Sequence, residues 1–313
     1  MEDKSNISRE WTGVTHGGSL GLKMVMFVFR HVSAIAGRFS VIIGYCILAP
    51  VIPFYMLFAR KSYLSIYRYF RIHFSYSPLK SFYKTYINHF IFGQCMFDRF
   101  AAFVGRRNFF TAKITGKEEF FNLADEEKGF IMASAHVGNF ELSGCLFGQD
   151  KKHINVLAFG GENEEVMINR MKIFETNNVS IIPVTDDISY MLRVKKAFSS
   201  GEILAALCDR IYGNTKTIEC DFLSGKADFP TGIFALAVYF NVPIISTFVM
   251  KNKLTKYNIY IKKISLNKSE NSENLTKQDK IELLTHKFVE ELDNIVKKYP
   301  EQWFNFYEFW NLR

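Results

Sequence analysis

Between Gly129 and Val249 the chain carries five short apolar runs: Gly129–Ala135 (GFIMASA), Ile154–Phe159 (INVLAF), Val179–Val184 (VSIIPV), Ile203–Cys208 (ILAALC) and Pro243–Val249 (PIISTFV). Each is short for a buried helix and too continuous for a strand with one wet face, so each reads as a strand covered on both sides. Helical patterns lie between them at Asn139–Phe147, Glu164–Thr176, Ile188–Ser199 and Thr231–Phe240. Covered strands alternating with helices predict an α/β fold with a mixed, mostly parallel sheet flanked by helices. Tyr257–Lys263 (YNIYIKK) alternates and reads as an edge strand, and Asn267–Asp279 is polar and reads as a loop. Lys280–Lys298 places Ile281, Leu284, Phe288, Leu292 and Ile295 on one face of an amphipathic surface helix.

The N-terminal third has another texture. Residues 19–115 read as aromatic and aliphatic helices, and the stretch from Leu20 to Thr115 holds thirteen Lys and Arg against one acid, Asp98. The local balance is +12, so the rest of the chain sums to about −4 within a net +8. A basic, aromatic-rich surface suits anionic lipid or an acidic carrier protein. Nucleic acid fits less well, because apolar runs separate the basic residues and no helix-turn-helix, zinc or RNP pattern occurs. Phe39–Ala59 is 21 residues without a charge, long enough to cross a hydrocarbon core, but Pro50 and Pro53 interrupt it. A kinked span and an interfacial helix both remain open, and Arg30 and Arg38 on one side balance Arg60, Lys61, Arg68 and Arg71 on the other. The aromatic stripe Tyr63, Tyr67, Phe70, His73 and Phe74 reads as a bilayer contact. Residues 1–18 are polar, without the pattern of a cleavable signal peptide. The five cysteines form no CxxC pair and read as reduced, small hydrophobes facing the cytosol.

Chemistry concentrates where the first apolar run ends, at His136-Val137-Gly138-Asn139-Phe140-Glu141. A histidine at the carboxyl end of a strand lies where α/β proteins place their sites, and imidazole suits proton abstraction near neutral pH. On a regular helix the spacing would put Glu141 about 140° from His136. Across a turn at Gly138 the carboxylate can fold back to fix the ring's tautomer. The plainer alternative is a histidine that caps the next helix. Asp209-Arg210 follows another strand, either as part of a site or as a local salt bridge. Phe222–Gly232 reads as a tight loop set by Gly225, Pro230 and Gly232, and the helix after it offers free N–H groups to an anion. An ordinary loop entering a core helix is the alternative there. His16, His31, His73, His89, His153 and His286 show no ligand spacing and read as surface or interface residues, while Trp303 and Trp310 suit either an acyl groove or packing.

These blocks, in this order, resemble the bacterial lipid A biosynthesis (lauroyl/myristoyl) acyltransferases of the lysophospholipid acyltransferase superfamily. HVGNFE stands for the family's HxGNWE, with Phe140 in place of Trp. Asp209-Arg210 stands for its Asp-Gln or Asp-Arg block, and Phe222–Gly232 for FxGxxAxxPxG with one extra residue before Gly225. Pro300-Glu301-Gln302-Trp303 stands for its C-terminal Pro-Glu-Gln-Trp, so the resemblance covers roughly residues 115–313. It implies a glycerolipid acyltransferase-like fold, with an N-terminal membrane-associated helical region (1–115) and a catalytic domain (116–313). It also implies an acyl-carrier-protein or CoA thioester as co-substrate, no metal or bound cofactor, and a lipid acceptor at the cytoplasmic face of the bacterial inner membrane. His136 and Glu141 would be catalytic, with Asn139, Asp209, Arg210, Gly225, Lys226 and Gly232 binding substrate.

The N-terminal part departs from that pattern. Trp11-Thr12-Gly13, Gly17–Gly21 and Asp98-Arg99 look more like relatives associated with aryl-polyene or aminolipid synthesis, which leaves lipid A precursor as one acceptor among several and O- or N-acylation open. Two other readings compete. Gly17-Gly18-Ser19-Leu20-Gly21 matches the GxSxG of serine esterases but lacks the preceding buried strand that a nucleophile elbow needs. A non-enzymatic membrane scaffold docking a carrier protein would fit the basic N-terminal third but requires neither cluster at the strand ends.

Overall fold

The computed structural model describes residues 37, 39–143, 146, 151–159, 178–184, 189–266 and 275–310. The expected helix Glu164–Thr176, His16, His31, Gly17–Gly21, Cys145 and most of the loop Asn267–Asp279 lie outside them. Seven strands form one sheet: β1 (Thr111–Thr115), β2 (Phe130–Ser134), β3 (Ile154–Phe159), β4 (Val179–Val184), β5 (Ile203–Leu207), β8 (Ile244–Lys253) and β9 (Lys256–Ile264). The order across it is β1-β9-β8-β2-β5-β3-β4, and every neighbouring pair is parallel except the hairpin β8–β9. The apolar runs therefore became the strands expected of them, and the sheet is mostly parallel.

Strand alternation divides the core into two layers. Ile131 and Ala133 of β2 point into one cluster with Phe234, Phe248, Phe288 and Trp303, while Phe130 and Met132 point into another with Phe120, Leu123 and Tyr257. Helices α5 (Ser189–Ser199), α6 (Gly232–Phe240) and α7 (Lys277–Lys298) supply the first layer, and α4 (Lys117–Asp125) the second. Thr276 caps α7 reciprocally with Asp279, so the helix starts three residues before the apolar pattern does.

Three expectations change. Tyr257–Lys263 is not an edge: β9 lies between β8 and β1, and the edge is Thr111–Thr115, whose short alternating TAKIT is masked by the helical pattern before it. Phe222–Gly232 is not a simple loop. Thr217–Phe222 (β6) and Gly225–Pro230 (β7) form an antiparallel hairpin whose Phe222↔Gly225 pairing leaves a two-residue turn at Leu223-Ser224. Asn139 does not begin a regular helix; residues 138–141 are turns.

Ahead of the sheet stand α1 (Phe39–Phe58), α2 (Arg60–His73) and α3 (Pro78–Ala101). Among the described residues α1 is the one helix long and apolar enough to cross a membrane, and both prolines lie inside it. Pro53 has no N–H for the carbonyl of Ala49, four residues back, and Tyr86 of α3 donates its hydroxyl to that carbonyl at 3.1 Å. The helices approach closely at Gly44, where an added Cβ would lie 2.1 Å from the Phe97 ring. The opposite side of α1 presents Phe39, Ile43, Ile47, Val51, Phe54, Leu57 and Phe58, each 50–88% exposed and spaced mostly three or four apart. The second half of the α2 aromatic stripe does not share that outward role, while Tyr63 and Tyr67 stay half-exposed. Phe70 is buried in the core, Phe74 packs against it, and His73 stacks on Trp310. His89, expected near the surface, is buried against Thr85 and Ser62.

Candidate active site

β2 and β5 pair in parallel with Ser134 opposite Leu207, and Cys208 N–H donates to the Ser134 carbonyl at 2.8 Å. Two residues beyond each paired end stand His136 and Asp209, so register alone sets them side by side. The contact is double. Asp209 Oδ1 lies 2.7 Å from His136 Nδ1, and Oδ2 accepts from the His136 backbone N–H at 3.0 Å. An ionised carboxylate only accepts, so Nδ1 carries a proton, and in the neutral ring the lone pair then belongs to Nε2. Burial on its own would raise the Asp209 pKa. The adjacent imidazole, its hydrogen bonds and Arg210 together outweigh burial, and the carboxyl is held below its usual value.

The turn after His136 is shaped by Gly138, at φ +57°, where a Cβ would meet the Val249 carbonyl oxygen at 2.1 Å. The same carbonyl accepts from Asn139 N–H at 2.7 Å, and Gly138 N–H donates to Gln302 O at 2.8 Å. Asn139 is buried and uses its side-chain amide on Cys95 O (2.9 Å) and the Tyr257 hydroxyl (3.2 Å), so it builds the turn. Glu141, read from the sequence as the ring's partner, instead accepts from Arg99 of α3 through Oε1. The acid on Nδ1 is Asp209.

The C-terminal Pro300–Trp303 block runs beside this turn. Trp303 bridges Val137, Phe304 N–H donates to His136 O at 2.9 Å, and the Gln302 side chain pairs with both backbone groups of Lys251. Trp303 Nε1 lies 3.3 Å from Asp209 Oδ2. Arg210 reaches Phe304 O at 3.2 Å and lies over the Tyr307 ring, while its Nε is buried with no hydrogen-bond partner among the described residues.

Gly225 and Lys226 belong to a different wall. They line a pocket of about 180 Å³ with His73, Tyr69, Trp303 and Trp310, and Lys226 pairs with Glu219 on the hairpin's exposed side. Gly232 opens α6 and is exposed, and a Cβ there would meet nothing within 4 Å, while its neighbours Thr231, Ile233 and Phe234 are buried. Cys208, next to Asp209, is no nucleophile: burial first and Asp209 second push its thiol pKa up. Arg99 and Gln302, given no site role from the sequence, and Trp303, read there as acyl groove or packing, make the contacts that matter. Each lay in a noticed block, but nothing local to those blocks says what they touch.

The profile of the bacterial lipid A biosynthesis acyltransferases matches residues 92–311. The chain belongs to this family. It is therefore an acyltransferase enzyme of the lipid A biosynthesis type, and the scaffold and esterase readings fall. No individual curated protein matches it significantly. The match begins inside α3, so for this acyltransferase the last turns of that helix, with Cys95, Asp98 and Arg99, are part of the family region.

Proposed function

We propose that the enzyme moves a fatty acyl group from an acyl-carrier-protein or CoA thioester to a hydroxyl of a lipid acceptor, with His136 as the base. The observation that carries this is the 2.7 Å contact between His136 Nδ1 and Asp209 Oδ1. It commits Nε2 to accept a proton. As the acceptor oxygen attacks the thioester carbonyl, Nε2 takes its hydrogen, and the thiolate leaves and is protonated in turn. Asp209 stabilises the imidazolium formed on the way, and general-base help of this kind is worth about 10²–10⁴-fold. Glu141 is retained as a second catalytic carboxylate, acting from the pair it forms with Arg99. The buried Arg210 Nε–H and the backbone N–H groups of the first turn of α6, which begins at Gly232, are the groups suited to the charge of substrate or intermediate.

The apolar face of α1 is the reading's membrane contact, with the cytoplasmic face of the inner membrane as its setting, where carrier thioesters are made. Arg60, Lys61, Arg71 and Lys80 supply charge for anionic head groups beside it.

The deciding experiment is mass spectrometry of lipids from cells lacking the protein, complemented with wild type or His136→Ala. One lipid should lose an acyl chain that only wild type restores, and its structure names the acceptor. Full restoration by His136→Ala would remove the assignment of the base.

A further inference from the structure

We propose that Trp303 is a positioning residue for acyl transfer, its indole N–H holding the Asp209 carboxylate in line with His136. The inference rests on the reading of His136 as base. Trp303 is 1% exposed, and its Nε1 lies 3.3 Å from Asp209 Oδ2. That oxygen also accepts the His136 backbone N–H at 3.0 Å, while Oδ1 faces the ring at 2.7 Å. Two donors on Oδ2 stop the carboxylate from rotating away from Nδ1. The indole is itself held: Tyr69, Phe222 and Phe309 lie edge-on to it at centroid separations of 5.3, 5.3 and 5.0 Å. Its backbone bridges Val137, and the next residue's N–H donates to His136 O. The same strap therefore fixes the histidine and the acid that orients it.

A buried carboxylate oxygen that loses one of two donors is both less satisfied and less constrained. The loss falls on the imidazolium-like transition state. The Trp303 side chain, unlike its backbone, acts on the histidine through Asp209, so replacing the indole leaves the strap's backbone bonds in place and thioester binding is spared.

The test is steady-state turnover of lauroyl thioester, on carrier protein and on CoA, by the full chain in detergent with a total bacterial lipid extract as acceptor. Trp303→Phe should lower apparent kcat roughly tenfold, with KM changed less than about twofold. Replacing Trp303 with benzothienylalanine, which keeps the ring's shape but lacks the N–H, should give the same loss if Trp303→Phe fails to fold. Phe198→Leu, in the same core cluster but packed on Phe240 rather than on Trp303, controls for a general loss of packing and should keep kcat. In the double variant with Asp209→Asn, the Trp303 change should add nothing, since both act through one contact. Unchanged kcat in the Phe and benzothienylalanine variants, or losses that multiply in the double variant, would overturn the proposal. His136→Ala in the same assay separates the two levels. If it stays active, the reading of the base fails; if it is dead while the Trp303 variants are fully active, only the positioning role fails.

Discussion

Asp209 meets His136 twice, at the ring and at the backbone N–H, because both residues lie two places past the paired strand ends Ser134 and Leu207. A dyad set by sheet register has no freedom to swap its acid for one on the following turn. Asp209→Asn should therefore lower kcat by about 10²–10⁴-fold, since an amide no longer enforces the Nδ1–H tautomer. The comparison is kcat for Asp209→Asn against wild type at equal folded fraction by circular dichroism. Near wild-type turnover would return the orienting role to Glu141.

Gly138→Ala should be both unstable and inactive. Its Cβ would stand 2.1 Å from Val249 O in a left-handed backbone that alanine tolerates poorly. Strain of this kind costs about 1–3 kcal/mol before any clash is relieved. A urea midpoint within error of wild type would contradict the geometry.

Asp98 of α3 is fully buried and is held by Lys251 of β8 and the hydroxyls of Tyr45 and Tyr257. Removing one partner of a buried ion pair typically costs 3–5 kcal/mol, because the other charge is stranded. Asp98→Ala should lower the unfolding midpoint strongly, and adding Lys251→Met should recover most of the loss. A double variant no better than the single one would show that the pair itself, not the stranded lysine, sets the cost.

Stability should fall in mild acid through His73. Burial lowers its pKa from 6.5 to about 4, and burial also lowers that of His89. Between about pH 4 and 6.5 the unfolded chain then binds more protons than the folded one, so stability rises with pH through that window and is lost as pH falls. His73→Asn should flatten this dependence in thermal unfolding scans. An unaltered slope would place the sensitivity elsewhere.

Ile47 and Phe54 lie on the exposed face of α1, away from the side that packs on α3. Ile47→Glu with Phe54→Glu should weaken flotation with anionic liposomes at least tenfold, given about 1.5–3 kcal/mol for burying each side chain. Undiminished flotation would move the membrane contact off α1.

The sequence makes the central sheet legible because its strands are covered on both faces and so carry continuous apolar runs. The exceptions have physical causes. Thr111–Thr115 has one buried side at most and hides behind aromatic helices, and β6–β7 is a small hairpin whose alternation is broken by Gly225 and Pro230. At the site, His136 was readable from its place at a strand end, and Asp209 for the same reason. Their partnership was not, since strand order is a long-range property: β5 joins β2 only after β3 and β4 have been added outside it. Local spacing favoured Glu141, five residues on, and the pull of Arg99 from 42 residues upstream leaves no mark near the HVGNFE block.

The strap at residues 300–305 also sets a timetable. Gln302, Trp303 and Phe304 supply bonds to Gly138, Asp209 and His136. During synthesis the earlier strands can assemble first, yet the base stays unbraced until this stretch has left the ribosome. A chain ending before Pro300 would thus hold His136 beside Asp209 through strand register alone, without the bonds that brace the pair.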